Sequence, residues 1–321
     1  NLKKVEQPIV LIANTSKYLV HYRFLLIDKL YQSYKKLFVI APSDKSIEEL
    51  NKKVSYIPWH LSSENEFNLF EITKSFLILF RSIKSIKPNL VHSHTLKPNL
   101  LISIVNLLLG IKTIISFPGM GRLSTSKGLK YIFLKFILKF IYLTSIYQLH
   151  NFIFLKKNFN RVKFIFQNPI DLKFFIETVK VKRIDKTIYL IPGSGVPSNY
   201  FKSKKLYNSY EIKNKLDFVY CARLEKSKEI NLFIDLAKHY PDSEFFIYGS
   251  LNKNSKNCLS YEEIKSFKSK NKNLKFMGYL KEPLLSHHND RTVFLVPSNY
   301  GEGLPRGILE AMSLEIPVVA S

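Results

Sequence analysis

Short apolar runs recur along this chain at regular intervals. Seven fall in its first 200 residues: "PIVLIAN", "KLFVIAP", "VSYIPW", "NLVHSH", "KTIISFPG", "VKFIFQN" and "KTIYLIPG". Each is rich in β-branched or aromatic residues, and most are separated by stretches whose apolar positions repeat at helical spacing, so each is predicted to be a strand. Strands alternating with helices imply a mostly parallel, doubly wound sheet. The segment "IPGSGVPSNYFKSKKLYNSYEIKNK" then breaks the rhythm with polar and turn-forming residues. Beyond it the rhythm restarts with "LDFVYCARL", "SEFFIYGS", "NLKFMGY", "TVFLVPS" and "IPVVAS", each but the last followed by a helical run. The expected fold class is therefore α/β, with doubly wound parallel-sheet units over residues 1–200 and 201–321. Ligands of such sheets bind outside the carboxyl ends of the strands, so the expected site is a cleft between two facing units.

Two apolar helical stretches bear on membranes. "NLLISIVNLLLG" is too short to span a bilayer and reads as a buried helix. "KGLKYIFLKFILKFIYL" is longer, but Lys130, Lys135 and Lys139 interrupt it. Each lysine near the bilayer centre costs about 2.5–3.5 kcal/mol, which argues against a spanning helix. Two arrangements remain: an interfacial helix with cations outward and aromatics in the headgroups, and a core helix whose lysines snorkel to the surface. The opening "NLKKVEQPIVLIANTS" has too short an apolar run for a secretory signal. Cys221 and Cys258 lack the spacing of a disulfide framework or a zinc site, so a reducing, cytoplasmic setting is expected. A chain of 321 residues with 46% apolar content can fill two moderate cores.

Charge sharpens this picture. The net charge is +24, and between Ile72 and Ile170 there is no Asp or Glu while fifteen Lys and Arg occur. Such a field attracts a polyanion, either an anionic membrane surface or a nucleic acid, although a solvated lysine-rich surface gives the same count. No nucleic-acid-binding pattern accompanies it, so no nucleic-acid partner is expected.

Four features at the carboxyl ends of predicted strands carry candidate chemistry. In "NYGEGLPRGILEAM", Glu302 stands just before a helix expected to begin near Leu304 or Pro305, and Glu310 about two turns inside it. The amides of Gly303 and Leu304 at that helix start suit an anion, and the carboxylates suit sugar and ribose hydroxyls on either side of it. Glu302 also fits a plain helix-start carboxylate, and Glu310 a surface residue. In "CARLEKSKEI", Arg223 and Lys228 flank a loop leading into a helix, a combination that holds a diphosphate, although in a basic chain such a pair also arises by chance. In "FPGMGRL", Gly119 and Gly121 allow close backbone approach to a ligand or simply a tight turn. In "HSHT", His92 and His94 point to the same side and fit hydroxyl contacts, a metal pair or packing, with no third metal ligand nearby.

Together these motifs resemble the retaining glycosyltransferases of the GT-B fold, family 4, and within it the bacterial branch that builds capsule, O-antigen and lipopolysaccharide. The resemblance runs through "NTSKYLVHYRFLLIDKL", "VHSHTLKPNLLISIVNLLLGIKTIISFPGMG", "FVYCARLEKSKEINLFIDLAK" and "VPSNYGEGLPRGILEAMSLEIPVVAS". It implies two Rossmann-like domains, an acceptor-binding one first and a nucleotide-sugar-binding one second. It implies that Glu302 meets the donor sugar near the reacting carbon and that Glu310 holds the ribose. Arg223 and Lys228 then bind the diphosphate, helped by the amides of Gly303 and Leu304, and Gly119 and Gly121 line the first domain's side of the donor phosphates. The implied reaction moves a sugar, a UDP-linked hexose or N-acetylhexosamine, onto a polyprenyl-diphosphate-linked acceptor at the inner face of the cytoplasmic membrane, without a metal or other cofactor. A phosphorylase or epimerase of the same fold, or a non-catalytic basic binding protein, is the alternative.

The chain departs from the family pattern at three places. Pro118 stands where many relatives carry a histidine, which makes His94 the candidate catalytic histidine. Glu229 follows Lys228 where relatives usually have Gly. The chain stops at Ser321 on a predicted strand where relatives continue, so the second domain is expected to be incomplete.

Overall fold

The computed structural model describes residues 4–44, 46–50, 52–61, 69–120, 128–146, 161–180, 187–196, 215–251, 257–297 and 305–321. The chain divides into two compact units, Asn1–Ser194 and Gly195–Ser321.

The first unit runs β1 (Ile9–Ile12), α1 (Ser16–Tyr22), α2 (Phe24–Ser33), β2 (Leu37–Ala41), α3 (Ile47–Leu50), β3 (Ser55–Pro58), α4 (Leu69–Ile86), β4 (Leu90–His94), α5 (Leu96–Leu109), β5 (Thr113–Phe117), α6 (Leu129–Ile146), β6 (Val162–Phe166), α7 (Pro169–Val179) and β7 (Ile188–Leu190). Its seven strands pair in parallel in the order β3-β2-β1-β4-β5-β6-β7. Strand β1 is buried throughout because both sheet faces are covered. Ile9 and Leu11 join one core cluster with α1 and α2, while Val10 and Ile12 join another with α4 and α5, as the two-residue period requires. A third cluster packs α6 and α7 on β5 and β6 through Phe117, Phe166 and Phe175, with the first two rings stacked at 5.0 Å.

The second unit runs β8 (Asp217–Cys221), a 3-10 turn (Lys226–Lys228), α8 (Ile230–His239), β9 (Glu244–Tyr248), α9 (Tyr261–Lys270), β10 (Leu274–Gly278), α10 (Pro283–Ser286), β11 (Thr292–Val296), α11 (Arg306–Ser313) and β12 (Val318–Ala320). Its sheet is parallel, in the order β10-β9-β8-β11-β12. Phe218 and Tyr220 face α8, and Val219 and Cys221 face α11. All twelve strands among the described residues fall where the sequence predicts them, and neither cysteine is in a disulfide.

Helix ends follow the local chemistry. Asn168 caps α7 by accepting from the Asp171 amide at 2.7 Å, with Pro169 in the first turn. Ser260 and Glu263 form a capping box on α9. Gly110 closes α5 in the left-handed conformation.

One helix start differs from expectation, and α6 follows the core-helix alternative on one of its faces. Helix α11 begins at Arg306, with Pro305 as the capping residue, so Glu310 lies little more than one turn inside it. Helix α6 does not separate cations from aromatics. Leu134, Ile137, Leu138 and Ile141 face the core, while Leu129 (85% exposed), Ile132 and Phe136 (64% exposed) point outward beside Lys139. Lys135 folds over the Tyr131 ring at 4.3 Å. The alternation of apolar residues around the whole helix leaves no purely cationic face. Helix α5 is buried as expected. Among the described residues no helix is long and apolar enough to cross a membrane.

Candidate functional sites at the two switch points

In each sheet the strand order reverses once, between β1 and β4 in the first unit and between β8 and β11 in the second. Connections leave such a point in opposite directions, which opens a crevice at the carboxyl ends of the two strands. The residues singled out from sequence that fall among the described residues gather at or near these two points.

In the second unit, β8 ends at Cys221 and leads into the loop carrying Arg223. Arg223 Nη1 donates to Glu225 Oε1 at 2.8 Å, and the arginine side chain remains 60% exposed. Glu225 is held in turn by the Ser227 hydroxyl at 3.3 Å, so one edge of the guanidinium is fixed while the rest stays accessible. Lys226 is taken up by Glu263 at 2.7 Å. The Lys228 carbonyl accepts from the Tyr220 hydroxyl at 3.2 Å, which ties the end of the 3-10 turn to β8. Glu229 has φ +50°, the left-handed conformation that favours Gly, so the chain makes this turn under strain, at the place where the resemblance leads to an expected Gly.

Glycine at 249 is required by the same loop. Ala222 N donates to the Tyr248 carbonyl at 3.1 Å and Leu224 N to the Ser250 carbonyl at 3.3 Å, zipping the two segments together. A Cβ on Gly249 would stand 1.9 Å from the Ala222 carbonyl oxygen. Sequence reasoning missed this residue; its signal was a Gly directly after a strand, in "FFIYGS".

Glu310 lies on α11, which packs with Val219 and Cys221 at the end of β8 in one core cluster. Arg306 Nε donates to its Oε1 at 2.7 Å, one turn earlier on the helix. Burial raises the Glu310 pKa, Arg306 opposes that shift and Glu282 adds to it. Its charge, with the larger effect of burial, also raises the Cys221 thiol pKa, which places Glu310 within electrostatic reach of the end of β8. Glu310 is thus a partly buried carboxylate partnered by Arg306. Glu302, Gly303 and Leu304 lie outside the described residues.

In the first unit, His92 and His94 end β4 with their rings 4.1 Å apart. His92 Nε2 pairs with the Ser116 hydroxyl at 2.7 Å, and His94 Nδ1 accepts from Arg23 Nε at 3.4 Å. Burial, and then the Arg23 charge, push His92 down to about 3, and burial with both neighbours holds His94 well below its ordinary value. Both rings are therefore neutral at physiological pH. Arg23 also donates to the Tyr22 carbonyl at 3.1 Å and lies over the Tyr18 ring at 5.2 Å. The next residue, Thr95, has φ +72°, a strained conformation for a β-branched side chain. Among the described residues no three His, Cys, Asp or Glu side chains gather in a metal-holding group.

Gly119 follows β5 with open space around its Cβ position, so the fold itself does not demand glycine there. The loop is anchored one residue on, where Met120 N donates to Asp171 Oδ2 at 2.8 Å. Asp171 was not expected from sequence; its signal was the capping pattern "NPID". Gly121 lies outside the described residues.

Two family models match the chain: "Glycosyl transferase 4-like" over residues 8–168 and "Glycosyl transferases group 1" over residues 202–321. A curated relative from Campylobacter jejuni, N,N'-diacetylbacillosaminyl-diphospho-undecaprenol alpha-1,3-N-acetylgalactosaminyltransferase, is 22% identical over 94% of this chain and 77% of its own length. Among solved structures, a glycosyltransferase from Rickettsia africae aligns with a TM-score of 0.68 at 15% identity, covering 98% of this chain and 79% of its own. Anabaena HepE in complex with UDP-glucose aligns with a TM-score of 0.68 at 16% identity, covering 98% of this chain and 80% of its own.

Proposed function

We propose that this chain, which belongs to the group 1 glycosyltransferases of the GT-B fold, is a retaining enzyme that moves a sugar from a nucleotide sugar to a lipid-linked glycan acceptor in bacterial surface polysaccharide synthesis. The observation that carries this reading is the packing of α11, the helix that carries Glu310, with Val219 and Cys221 at the end of β8, from which the chain runs into the loop of Arg223 and Lys228. One carboxylate and two cations at a switch point match the hydroxyls and the diphosphate of a nucleotide sugar. A UDP-linked hexose or N-acetylhexosamine is the proposed donor, supported by the UDP-glucose in HepE and the N-acetylgalactosaminyl transfer named for the Campylobacter relative. That relative's diphospho-undecaprenol substrate supports the acceptor class.

In this reading Glu310 accepts from the ribose hydroxyls and Glu302 stands beside the donor sugar. Arg223, Lys228 and the amides of Gly303 and Leu304 hold the diphosphate. The bond from the sugar's anomeric carbon to the phosphate oxygen breaks as an acceptor hydroxyl oxygen bonds to the same face of that carbon. The hydroxyl proton passes to the departing phosphate oxygen. The two cations neutralise the charge that develops there, a task that would otherwise fall to a metal.

Ligand-observed NMR against UDP-, GDP-, CMP- and dTDP-sugars tests the proposal. A UDP-sugar is expected to bind, and Glu310→Ala is expected to abolish its signal. Binding of none of the four classes would overturn it.

The raised Glu310 pKa adds a pH signature. Its folded value lies above its unfolded one, so the stability tied to this group is full at low pH and lost as pH rises through the raised pKa. Ribose binding needs the opposite, charged form. UDP affinity is therefore expected to fall on acidification with a midpoint above the ordinary glutamate value, and Glu310→Gln is expected to flatten that profile. A wild-type profile flat down to the ordinary value would contradict the role.

The acid-free basic segment and the exposed apolar positions of α6 support peripheral docking on the inner face of the cytoplasmic membrane. Binding to vesicles containing phosphatidylglycerol is expected to weaken steeply as ionic strength passes about 0.1 M, where the Debye length is about 10 Å. Equal binding to phosphatidylcholine vesicles at high salt would remove the electrostatic part of this reading.

A further inference from the structure

Arg23 sits between α1 and α2, 7% exposed, and among the described residues it forms no ion pair with any carboxylate. The sequence around it explains why: residues 7–27 contain no Asp or Glu, and neither does the segment from Ile72 to Ile170 that supplies β4, α5 and β5. A buried guanidinium whose described partners are all neutral is costly, so a fold that keeps one calls for an anion. The neighbouring groups have the same polarity. Because His94 is neutral and its Nδ1 accepts from Arg23, its proton must sit on Nε2. That nitrogen is fully buried and has no partner among the described residues, so it is an orphan donor. Helix α5 opens two residues later without a side-chain cap from Thr95, which leaves its positive amino end at the same place. Thr95 is held at φ +72° between them, and its hydroxyl is another orphan. Strain of this kind persists where a site over-determines the backbone.

We infer that Arg23 and His94, with the amino end of α5, form a phosphate-binding subsite at the first unit's switch point, between β1 and β4. Its occupant, on the function proposed above, is the diphosphate of the lipid-linked acceptor. His94 then acts as a hydrogen-bond donor to that group and not as a base. Arg23 both contacts the phosphate and fixes the tautomer that makes the donation possible.

The test is calorimetric titration of the full chain with geranyl diphosphate, inorganic pyrophosphate and UDP, on the wild type and on Arg23→Gln, Arg23→Lys and His94→Gln. Arg23→Gln is expected to weaken geranyl diphosphate binding by about tenfold or more, as loss of a charge-assisted hydrogen bond implies, with UDP affinity unchanged. Arg23→Lys keeps the positive charge and His94→Gln replaces one neutral donor by another, so each is expected to lose less. Thermal unfolding without ligand is expected to show no marked loss in Arg23→Gln, since a buried cation with no anionic partner among the described residues has been removed; a marked fall would assign Arg23 to the fold instead. Unchanged geranyl diphosphate binding in Arg23→Gln would overturn the subsite. Loss of UDP in its place would move the subsite to the donor and overturn the acceptor assignment. If pyrophosphate binding depends on Arg23 but geranyl diphosphate binds no better than pyrophosphate, the phosphate subsite stands and the lipid-acceptor reading fails.

Discussion

Arg223→Ala is expected to lower turnover by about 10²–10³-fold, the usual cost of removing one preorganised group from developing transition-state charge. The side chain is placed for this before any ligand arrives. It follows β8 by two residues, at the strand end bordering the switch point, and Glu225 fixes one of its terminal nitrogens at 2.8 Å. Since the guanidinium is 60% exposed, that ion pair adds little to stability, and Arg223→Ala is expected to leave the fold intact. Its effect belongs to the bound diphosphate, where water is excluded and a fork of donors meets phosphate oxygens. Arg223→Lys keeps the charge but not the fork, and should recover only part of the loss. Glu225→Gln leaves the arginine charged but less firmly aimed, and is expected to raise KM more than it lowers kcat. Single-turnover measurements on the three variants check the order. Full turnover in Arg223→Ala would remove the loop after β8 from the chemistry.

The strands were legible because parallel strands buried on both faces must be almost continuously apolar, and "PIVLIAN" or "TVFLVPS" can hardly be read otherwise. Motif spacing likewise marked Arg223, Lys228 and Glu310, which the fold places at or near one switch point. What escaped the sequence was whatever depends on burial across the chain. Arg23 is one of 49 cationic residues, and nothing local distinguishes a buried guanidinium from a solvated one. Helix α6 carries apolar residues around its whole circumference, so periodicity could not say which would face the core. Helix α11 starts later than Pro305 suggested because Pro305 takes an extended ψ of 129°, which makes it the cap and not the first turn. At Glu229 the departure from glycine was visible, but not that the chain would keep the left-handed turn and accept the strain.

Gly249→Ala is expected to weaken both the second unit and its hold on the nucleotide. The obstacle is steric: a Cβ there would meet the Ala222 carbonyl oxygen at 1.9 Å, the Ala222 carbonyl carbon at 3.1 Å and Leu224 Cδ2 at 2.9 Å. A flexible side chain could move aside, but a backbone carbonyl cannot without shifting its loop. That loop is bonded to the same segment on both sides of the collision, through Ala222 to Tyr248 and Leu224 to Ser250, and Gly249 N is itself held by the Gly278 carbonyl at 2.9 Å. Overpacking of this kind typically costs about 1–3 kcal/mol. Arg223 lies between the two bonded positions, so displacement of the loop carries its guanidinium away from the phosphate. Gly307→Ala is the informative contrast. Its Cβ would meet only the tip of the Phe294 ring, at 3.0 Å, and a helical Ala recovers about 1 kcal/mol of propensity, so that variant should be nearly neutral. Thermal midpoints and UDP affinities measured on both variants decide the matter. A Gly249→Ala protein that melts and binds UDP like the wild type would mean that the packing of β9 against the loop after β8 does not position Arg223.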